Sequence, residues 1–235
     1  MKARVAALVL LAAGPAVAFR VGGVGLWVLY GAIVALAAAL AAWELQQDGV
    51  LKDVMKRQGF DLAIGLAVAA TLLAAVTVTF NYWVAPVKFA NGVLTHCRGD
   101  GPMLPRLEPH GLERFAEIIR AQTCKGYVPL LSVDPRFRAM IVFIIAALEE
   151  VAWRGGVQEL LTEKLGSTRG WIATSFLFAF VHVLTPTPTL GLLALPCGLA
   201  WGALYRFRGR LIPSVFSHAV FSMFLFASRP LVHFA

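Results

Sequence analysis

Apolar runs long enough to span a membrane, about 20 residues with few charges, occur seven times in this chain and constrain its fold more than any other feature. They lie at roughly 4–19, 22–43, 61–85, 138–153, 169–186, 187–205 and 209–228. Only 14% of the residues are charged, against roughly 25% in soluble domains. The sequence therefore predicts an all-α, polytopic transmembrane helical bundle of six to eight helices.

The runs divide the chain into three parts. Residues 1–85 hold N-terminal transmembrane helices, 86–137 form an extramembrane loop, and 138–228 form a second transmembrane core. The first run is also consistent with a signal peptide over 1–18, because it ends in the small-x-small sequence Ala16-Val17-Ala18. The spacing of apolar residues predicts an amphipathic helix at 111–122. This helix lies along the membrane surface, covers what is beneath it, or is a linker helix packed against the bundle.

The Lys and Arg residues give the chain a net charge of +8 but do not indicate nucleic-acid binding. They lie in short segments between apolar helices, as expected for orientation signals and contacts with anionic lipids. Three of these segments are predicted to share the cytoplasmic side: Lys2 and Arg4; Lys52, Lys56 and Arg57; and Arg206, Arg208 and Arg210. Membrane lipids are thus the predicted partners, and nucleic acid is excluded.

This topology places the segment 86–137 outside, since long loops cross a membrane largely regardless of their charge. Cys97 and Cys124 lie in this segment, whereas Cys197 lies in an apolar helix. An exported compartment permits one disulfide between Cys97 and Cys124. Two unpaired thiols are the alternative.

Four acidic or histidine side chains fall within the last four apolar runs, namely Glu149, Glu150, His182 and His218. Each is costly in a bilayer and should face a partner or a cavity. Glu150 and Arg154 are four residues apart, which predicts a helical ion pair. Glu149 is turned about 100° from Glu150 around the helix and has no cation at helical spacing, so it is the carboxylate that needs another explanation.

Three chemical roles are open to Glu149, His182 and His218. Each histidine could simply make a hydrogen bond that bridges helices. Together with Glu149 they could be the ligands of a catalytic Zn site with an open position, or a metal-free acid/base cluster that activates water. Ser222, four residues after His218, could donate a hydrogen bond to an oxyanion or bond back to the carbonyl of His218.

Three motifs in this region resemble those of the CAAX-protease and bacteriocin-processing (CPBP, or Abi) intramembrane proteases, which include the type II CAAX prenyl endopeptidases. Glu149-Glu150-Val-Ala-Trp-Arg154 is similar to their Glu-Glu-x-x-x-Arg, and Phe178-Ala-Phe-Val-His182 to their Phe-x-x-x-His. His218-Ala-Val-Phe-Ser222 is similar to their His-x-x-x-Asn, with Ser in place of Asn. The motifs occur in the family's order over about 138–222.

The resemblance implies that 138–228 is the catalytic core of an intramembrane endopeptidase. Glu149 would activate the attacking water with help from His182, and Glu150 and Arg154 would order the helix end. His218 and Ser222 would stabilise the oxyanion. Whether such a site holds a divalent metal such as Zn, through Glu149, His182 and His218, or works as a glutamate protease is left open.

The implied substrate is a membrane-anchored peptide or protein, cleaved during maturation or removal of a C-terminal anchor. The expected location is the cytoplasmic (inner) membrane of a bacterium. A proton-coupled transporter, in which the glutamate and histidines form a relay, and an inactive scaffold of the same fold are the alternatives. The sequence contains no internal repeat of the kind typical of transporters.

Overall fold

The protein is described by a computed structural model that covers residues 2–21, 23–80, 96–97, 115–116, 118–119, 121–123, 133–228 and 233–234. Its architecture is an all-α bundle, as predicted. The helices are α1 (Lys2–Val21), α2 (Gly23–Gln47), α3 (Leu51–Val54), α4 (Asp61–Thr79), α5 (Pro135–Glu150), α6 (Glu159–Leu165), α7 (Ser167–Val183), α8 (Leu190–Arg208) and α9 (Ile212–Ser222). Two π-helical segments, Val151–Gln158 and Met223–Ser228, follow α5 and α9 directly.

Four of the described helices are long and apolar enough to cross a membrane. They are Lys2–Val21, Val24–Gln47, Asp61–Thr79 and Leu190–Arg208, and the apolar helix Ile212–Ala227 is shorter. The other two predicted runs correspond to α5 and α7, which have 16 and 17 residues. The chain is therefore an integral membrane protein, as its composition predicted.

The helix that carries Glu149 continues further than the sequence suggested. The apolar run was placed at 138–153, but α5, the π-helical segment and α6 follow one another without a break through Gly155-Gly156. A Cβ on Gly155 would lie 2.9 Å from a methyl group of Leu45, and one on Gly156 would lie 3.0 Å from Cβ of Ala41. The two glycines thus allow α2 to pack closely against the π-helical segment rather than ending the helix.

The core lies between α1, α2, the π-helical segment, α7 and α8. Its fully buried side chains include Val34 of α2, Trp153 of the π-helical segment, Phe178 of α7 and Trp201 of α8. Helix α1 joins the same core through Ala7 and Leu11. As placed, α1 packs like the other helices of the bundle, and the alternative of a signal peptide over 1–18 stays a prediction.

The three basic segments lie at one end of the bundle, which we call the basic end. Arg4 is buried and forms ion pairs with Asp48 and Glu163. Asp61 is fully buried and pairs with Arg208 at 3.0 Å and Arg210 at 2.9 Å. These contacts hold the start of α1, the α2–α4 connection and the α8–α9 turn together.

Most of the predicted loop 86–137 lies outside the described residues, and so does Cys124, so the proposed Cys97–Cys124 disulfide stays a prediction. The described residues of 115–123 are helical, as the amphipathic pattern indicates. Gln122 Oε1 accepts a hydrogen bond of 2.8 Å from the backbone N–H of Thr189, just before α8. His96–Cys97 pairs in parallel with His233–Phe234.

Candidate active site

Glu150 is at the centre of a buried cluster of polar side chains. Its carboxylate accepts hydrogen bonds from Arg154, with Nε at 3.0 Å and Nη2 at 3.4 Å, which confirms the predicted ion pair. It also lies 3.0 Å from Nδ1 of His218, 68 residues further along the chain. Glu150 and Arg154 are completely buried. Among the described residues, the hydrogen-bond partners of the Glu150 carboxylate are Arg154 and His218.

The bond to Glu150 determines how His218 faces its surroundings. A carboxylate accepts hydrogen bonds, so Nδ1 of His218 carries the proton in this contact. The opposite ring nitrogen, Nε2, lies 3.7 Å from Oε2 of Glu149. His218 is therefore clamped between two adjacent carboxylates of α5, with one nitrogen engaged by Glu150 and the other directed towards Glu149.

Glu149 has a partner on a helix that the motifs do not cover. The hydroxyl of Tyr30, on α2, donates a hydrogen bond to Oε1 of Glu149. Glu149 itself is only 6% exposed. Glu149 has no cation at helical spacing on its own helix. One of its carboxylate oxygens instead accepts a hydrogen bond from Tyr30, and the other faces the imidazole of His218.

His182 presents a free ring nitrogen as well. Its Nδ1 lies 2.7 Å from the backbone carbonyl oxygen of Phe178. The carbonyl can only accept, so Nδ1 donates and Nε2 is left as the acceptor. A hydrogen bond that fixes the histidine tautomer in this way is typical of both metal-ligating and acid/base histidines.

Aromatic rings enclose the polar cluster. The Trp201 ring stacks on His218 with 3.7 Å between centroids and a 19° interplanar angle. Phe178 is 2% exposed, lies 4.5 Å from the His182 ring centroid, and has the Arg154 guanidinium 5.4 Å from its own centroid. Phe178 also lines the cavity beside these groups and thus forms a wall of the site. These rings restrict the imidazoles and keep water away from the buried charges.

A cavity of about 170 Å³ adjoins these groups. Its polar walls are Tyr30, Glu149, His182, Thr185, His218 and Ser222, and most of the remaining lining is apolar or aromatic. Ser222 Oγ makes no hydrogen bond to another residue in the described part of the chain, so the predicted alternative of a bond back to the His218 carbonyl is wrong for this conformation. All six predicted site residues therefore lie in or directly beneath one cavity, with Glu150 and Arg154 as the layer beneath.

The cavity lies towards the end of the bundle opposite the basic end. Phe19, near the end of α1, and Leu26 and Trp27, near the start of α2, line it. Thr185 and Leu190, from the α7–α8 connection, line it too. These segments are separated from Arg4 and Arg208 by nearly the full length of their helices.

Glu149, His182 and His218 have the donor types of a catalytic zinc site. No group of three His, Cys, Asp or Glu side chains among the described residues is arranged so that it could hold a metal ion. One oxygen of Glu149 is already occupied by the Tyr30 hydroxyl. The side chains as placed do not fit a three-ligand metal site.

Tyr30 and Trp201 are the site residues that sequence reasoning missed. Trp201 lies in an apolar run without a polar neighbour to single it out, and its Nε1 donates to Ser217 Oγ at 3.1 Å. Tyr30 is separated from Glu149 by 119 residues. A hydroxyl in an otherwise apolar run was the available signal, because buried Tyr hydroxyls usually have a hydrogen-bond partner.

Comparison with known proteins gives one match. No curated protein and no solved structure shows significant similarity to the chain. The model of a family described as type II CAAX prenyl endopeptidase Rce1-like matches residues 134–224. This range contains the three motifs that resemble the family and the helices that carry them, α5 to α9. In this C-terminal region, the chain is similar to the Rce1-like family of type II CAAX prenyl endopeptidases.

Proposed function

We propose that this protein is an intramembrane endopeptidase that hydrolyses a peptide bond of a membrane-anchored protein or peptide, with Glu149 as the general base. The observation that supports the proposal best is that the two adjacent glutamates have different surroundings. Glu150 is engaged by Arg154 and His218 Nδ1, whereas Glu149 lines the cavity together with both histidines and Ser222.

The groups of the cavity supply a complete hydrolytic cycle. Glu149 Oε2 takes a proton from a water molecule, and His182 Nε2 helps to orient that water as a hydrogen-bond acceptor. The hydroxide oxygen attacks the carbonyl carbon of the peptide bond, and the carbonyl oxygen becomes an oxyanion. Collapse of this intermediate breaks the C–N bond, and Glu149 returns the proton to the leaving amine.

The oxyanion would be stabilised by donors on α9. Nε2 of His218 is directed towards Glu149 at the cavity, and it would donate to the oxyanion from the imidazolium form of the ring. Ser222 Oγ lines the same cavity and is free to donate. Such fixed donors act strongly in a site from which water is excluded.

The arrangement favours a glutamate-type mechanism over a zinc-dependent one. Tyr30 and His218 contact the two oxygens of Glu149 from different sides, which holds the carboxylate as a base without a metal ligand bond. We therefore expect turnover to survive prolonged incubation with a strong chelator. Loss of activity that Zn²⁺ restores would make the protein a metalloprotease with the same residues.

The position of the cavity suggests from which side the substrate arrives. Cytoplasmic segments of membrane proteins are rich in Lys and Arg, so the basic end is assigned to the cytoplasm. The cavity lies towards the other end, and its lining is mostly apolar. A peptide that emerges from the non-cytoplasmic leaflet would reach Glu149 without crossing the charged layer of Arg4, Asp61 and Arg210.

The test is cleavage of membrane-anchored model peptides by purified protein in lipid vesicles. Glu149→Gln should abolish cleavage while the protein remains folded. Glu159→Gln is the matched control, because Glu159 also accepts a hydrogen bond from a buried tyrosine, at 2.6 Å from Tyr205, but does not line the cavity. Equal rates for the wild type and Glu149→Gln would refute the proposal, and proton-coupled uptake without cleavage would favour the transporter.

A further inference from the structure

Among the residues that the structure describes, Tyr30 supplies the one hydroxyl that contacts the proposed base, and it comes from a part of the chain to which neither the motifs nor the family match extends. We infer that Tyr30 is a positioning residue that holds the Glu149 carboxylate in its reactive orientation. The inference rests on the proposed function. It assigns to α2 a role in the reaction beyond that of a membrane anchor.

The geometry of the carboxylate supports this role. The Tyr30 hydroxyl occupies Oε1 of Glu149, and Oε2 is directed towards Nε2 of His218. A glutamate side chain with a free terminal torsion would exchange its two oxygens and sample several directions. The hydroxyl anchors one oxygen, so the other is left in a defined place facing the cavity, where it can accept a proton from water.

Helix α2 is well placed to hold such an anchor. It packs along the same continuous helix that carries Glu149, and a Cβ on Gly31, next to Tyr30, would lie 3.8 Å from a side-chain carbon of Ile145. Further along α2, Ala41 packs against Gly156 and Leu45 against Gly155. A Cβ on Gly156 would lie 3.0 Å from Cβ of Ala41, and one on Gly155 would lie 2.9 Å from a methyl group of Leu45. The close packing fixes α2 relative to Glu149, so the hydroxyl has little freedom to move away.

The surroundings make this hydrogen bond important to the base. The Arg154 guanidinium is used by Glu150, and the cavity lining around Glu149 is mostly apolar. A buried carboxylate that loses a donor is unfavourable in its charged form. Without Tyr30, the charge and orientation of Glu149 would depend on His218 alone, and His218 is also needed for the oxyanion.

The experiment compares Tyr30→Phe with Tyr205→Phe. Both changes remove a tyrosine hydroxyl that donates to a glutamate, Glu149 in one case and Glu159 in the other, and both hydrogen bonds are partly buried. Both retain the ring and should lower the unfolding midpoint to a similar extent. Tyr30→Phe should lower kcat about 10–100-fold, the order of effect expected from losing a hydrogen bond to a charged group, with KM nearly unchanged. Tyr205→Phe should leave both constants close to those of the wild type.

A second variant covers the case in which Tyr30→Phe does not fold. Site-specific incorporation of 4-fluorophenylalanine at position 30 retains the ring and nearly the same volume but removes the donor, and it should lower kcat to a similar extent; a wild-type kcat in this variant would overturn the role of Tyr30. Glu149→Gln is measured in parallel. Full activity of Glu149→Gln would overturn the proposed function itself. An inactive Glu149→Gln together with a Tyr30→Phe that has wild-type kcat, or that changes KM alone, would overturn only the role of Tyr30.

Discussion

Glu150→Gln should destabilise the protein severely, because it removes the only negative charge that contacts Arg154 in the described part of the chain. Glu150 accepts hydrogen bonds from Arg154 Nε at 3.0 Å, Arg154 Nη2 at 3.4 Å and His218 Nδ1 at 3.0 Å. A glutamine has a single acceptor oxygen, so in either amide orientation its NH₂ group would point at a donor of Arg154 or His218.

The expected cost follows from the burial of the pair. Arg154 and Glu150 are both 0% exposed. Removing one partner of a buried ion pair leaves an uncompensated charge, which costs about 3–5 kcal/mol. Replacing both charges costs much less, because the attraction within a buried ion pair only slightly exceeds the free energy of removing the two charges from water. Glu150→Gln combined with Arg154→Met should therefore recover most of the lost free energy of unfolding while an acceptor for His218 is retained.

Unfolding in mixed micelles with increasing denaturing detergent measures these differences, and tryptophan fluorescence reports the transition because Trp153 and Trp201 lie around the site. Glu149→Gln is the matched control. Its amide oxygen can still accept from Tyr30, so its free energy of unfolding should lie within about 1 kcal/mol of the wild type. A Glu150→Gln protein as stable as Glu149→Gln, or a double variant as unstable as the single one, would refute the assignment of Glu150 as the structural partner of Arg154.

The remaining predictions concern the oxyanion, the topology and the basic end. Ser222→Ala should lower kcat with little change in KM. The activation free energy should rise by less than the roughly 2.7–4 kcal/mol typical of losing a well-placed oxyanion donor, because His218 remains. Unchanged kinetics would remove Ser222 from the site. A cysteine at Pro188 should react with a membrane-impermeant thiol reagent in intact cells, whereas one at Lys164 should react only after permeabilisation, and the reverse pattern would invert the topology. Asp61→Asn should lower the free energy of unfolding by about 1.5–3 kcal/mol without changing kcat, as it weakens the bonds to Arg210 at 2.9 and 3.1 Å; an unchanged unfolding transition would contradict this.

The sequence predicts the bundle and the residues of the polar cluster because both depend on strong local signals. Long apolar runs have few alternatives to membrane-spanning helices. The i,i+4 spacing of Glu150 and Arg154 predicts their ion pair, and it is present. Ionisable side chains in such runs need partners. Glu150 and His218 are partners in this way, because Nδ1 of His218 hydrogen-bonds to Glu150.

Contacts between helices that are distant in the sequence were not predictable from spacing. The hydrogen bond from Tyr30 to Glu149 depends on how α2 packs against the π-helical segment, and the stacking of Trp201 on His218 depends on the α8–α9 turn. The role of Gly155-Gly156 could not be assigned from the sequence, because a glycine pair is used both to end helices and to allow close packing. Only the neighbouring Ala41 and Leu45 reveal which use applies.

The role of Glu149 as general base is tested most directly by cleaving a membrane-anchored peptide in water enriched in ¹⁸O and measuring the product masses by mass spectrometry. The wild type should release a fragment whose new C-terminal carboxylate contains one ¹⁸O atom, the atom delivered by the water that Glu149 activates. Glu149→Gln, folded to the same extent, should release no fragment. Release of the labelled fragment by Glu149→Gln at the wild-type rate would contradict the assignment of Glu149 as the general base.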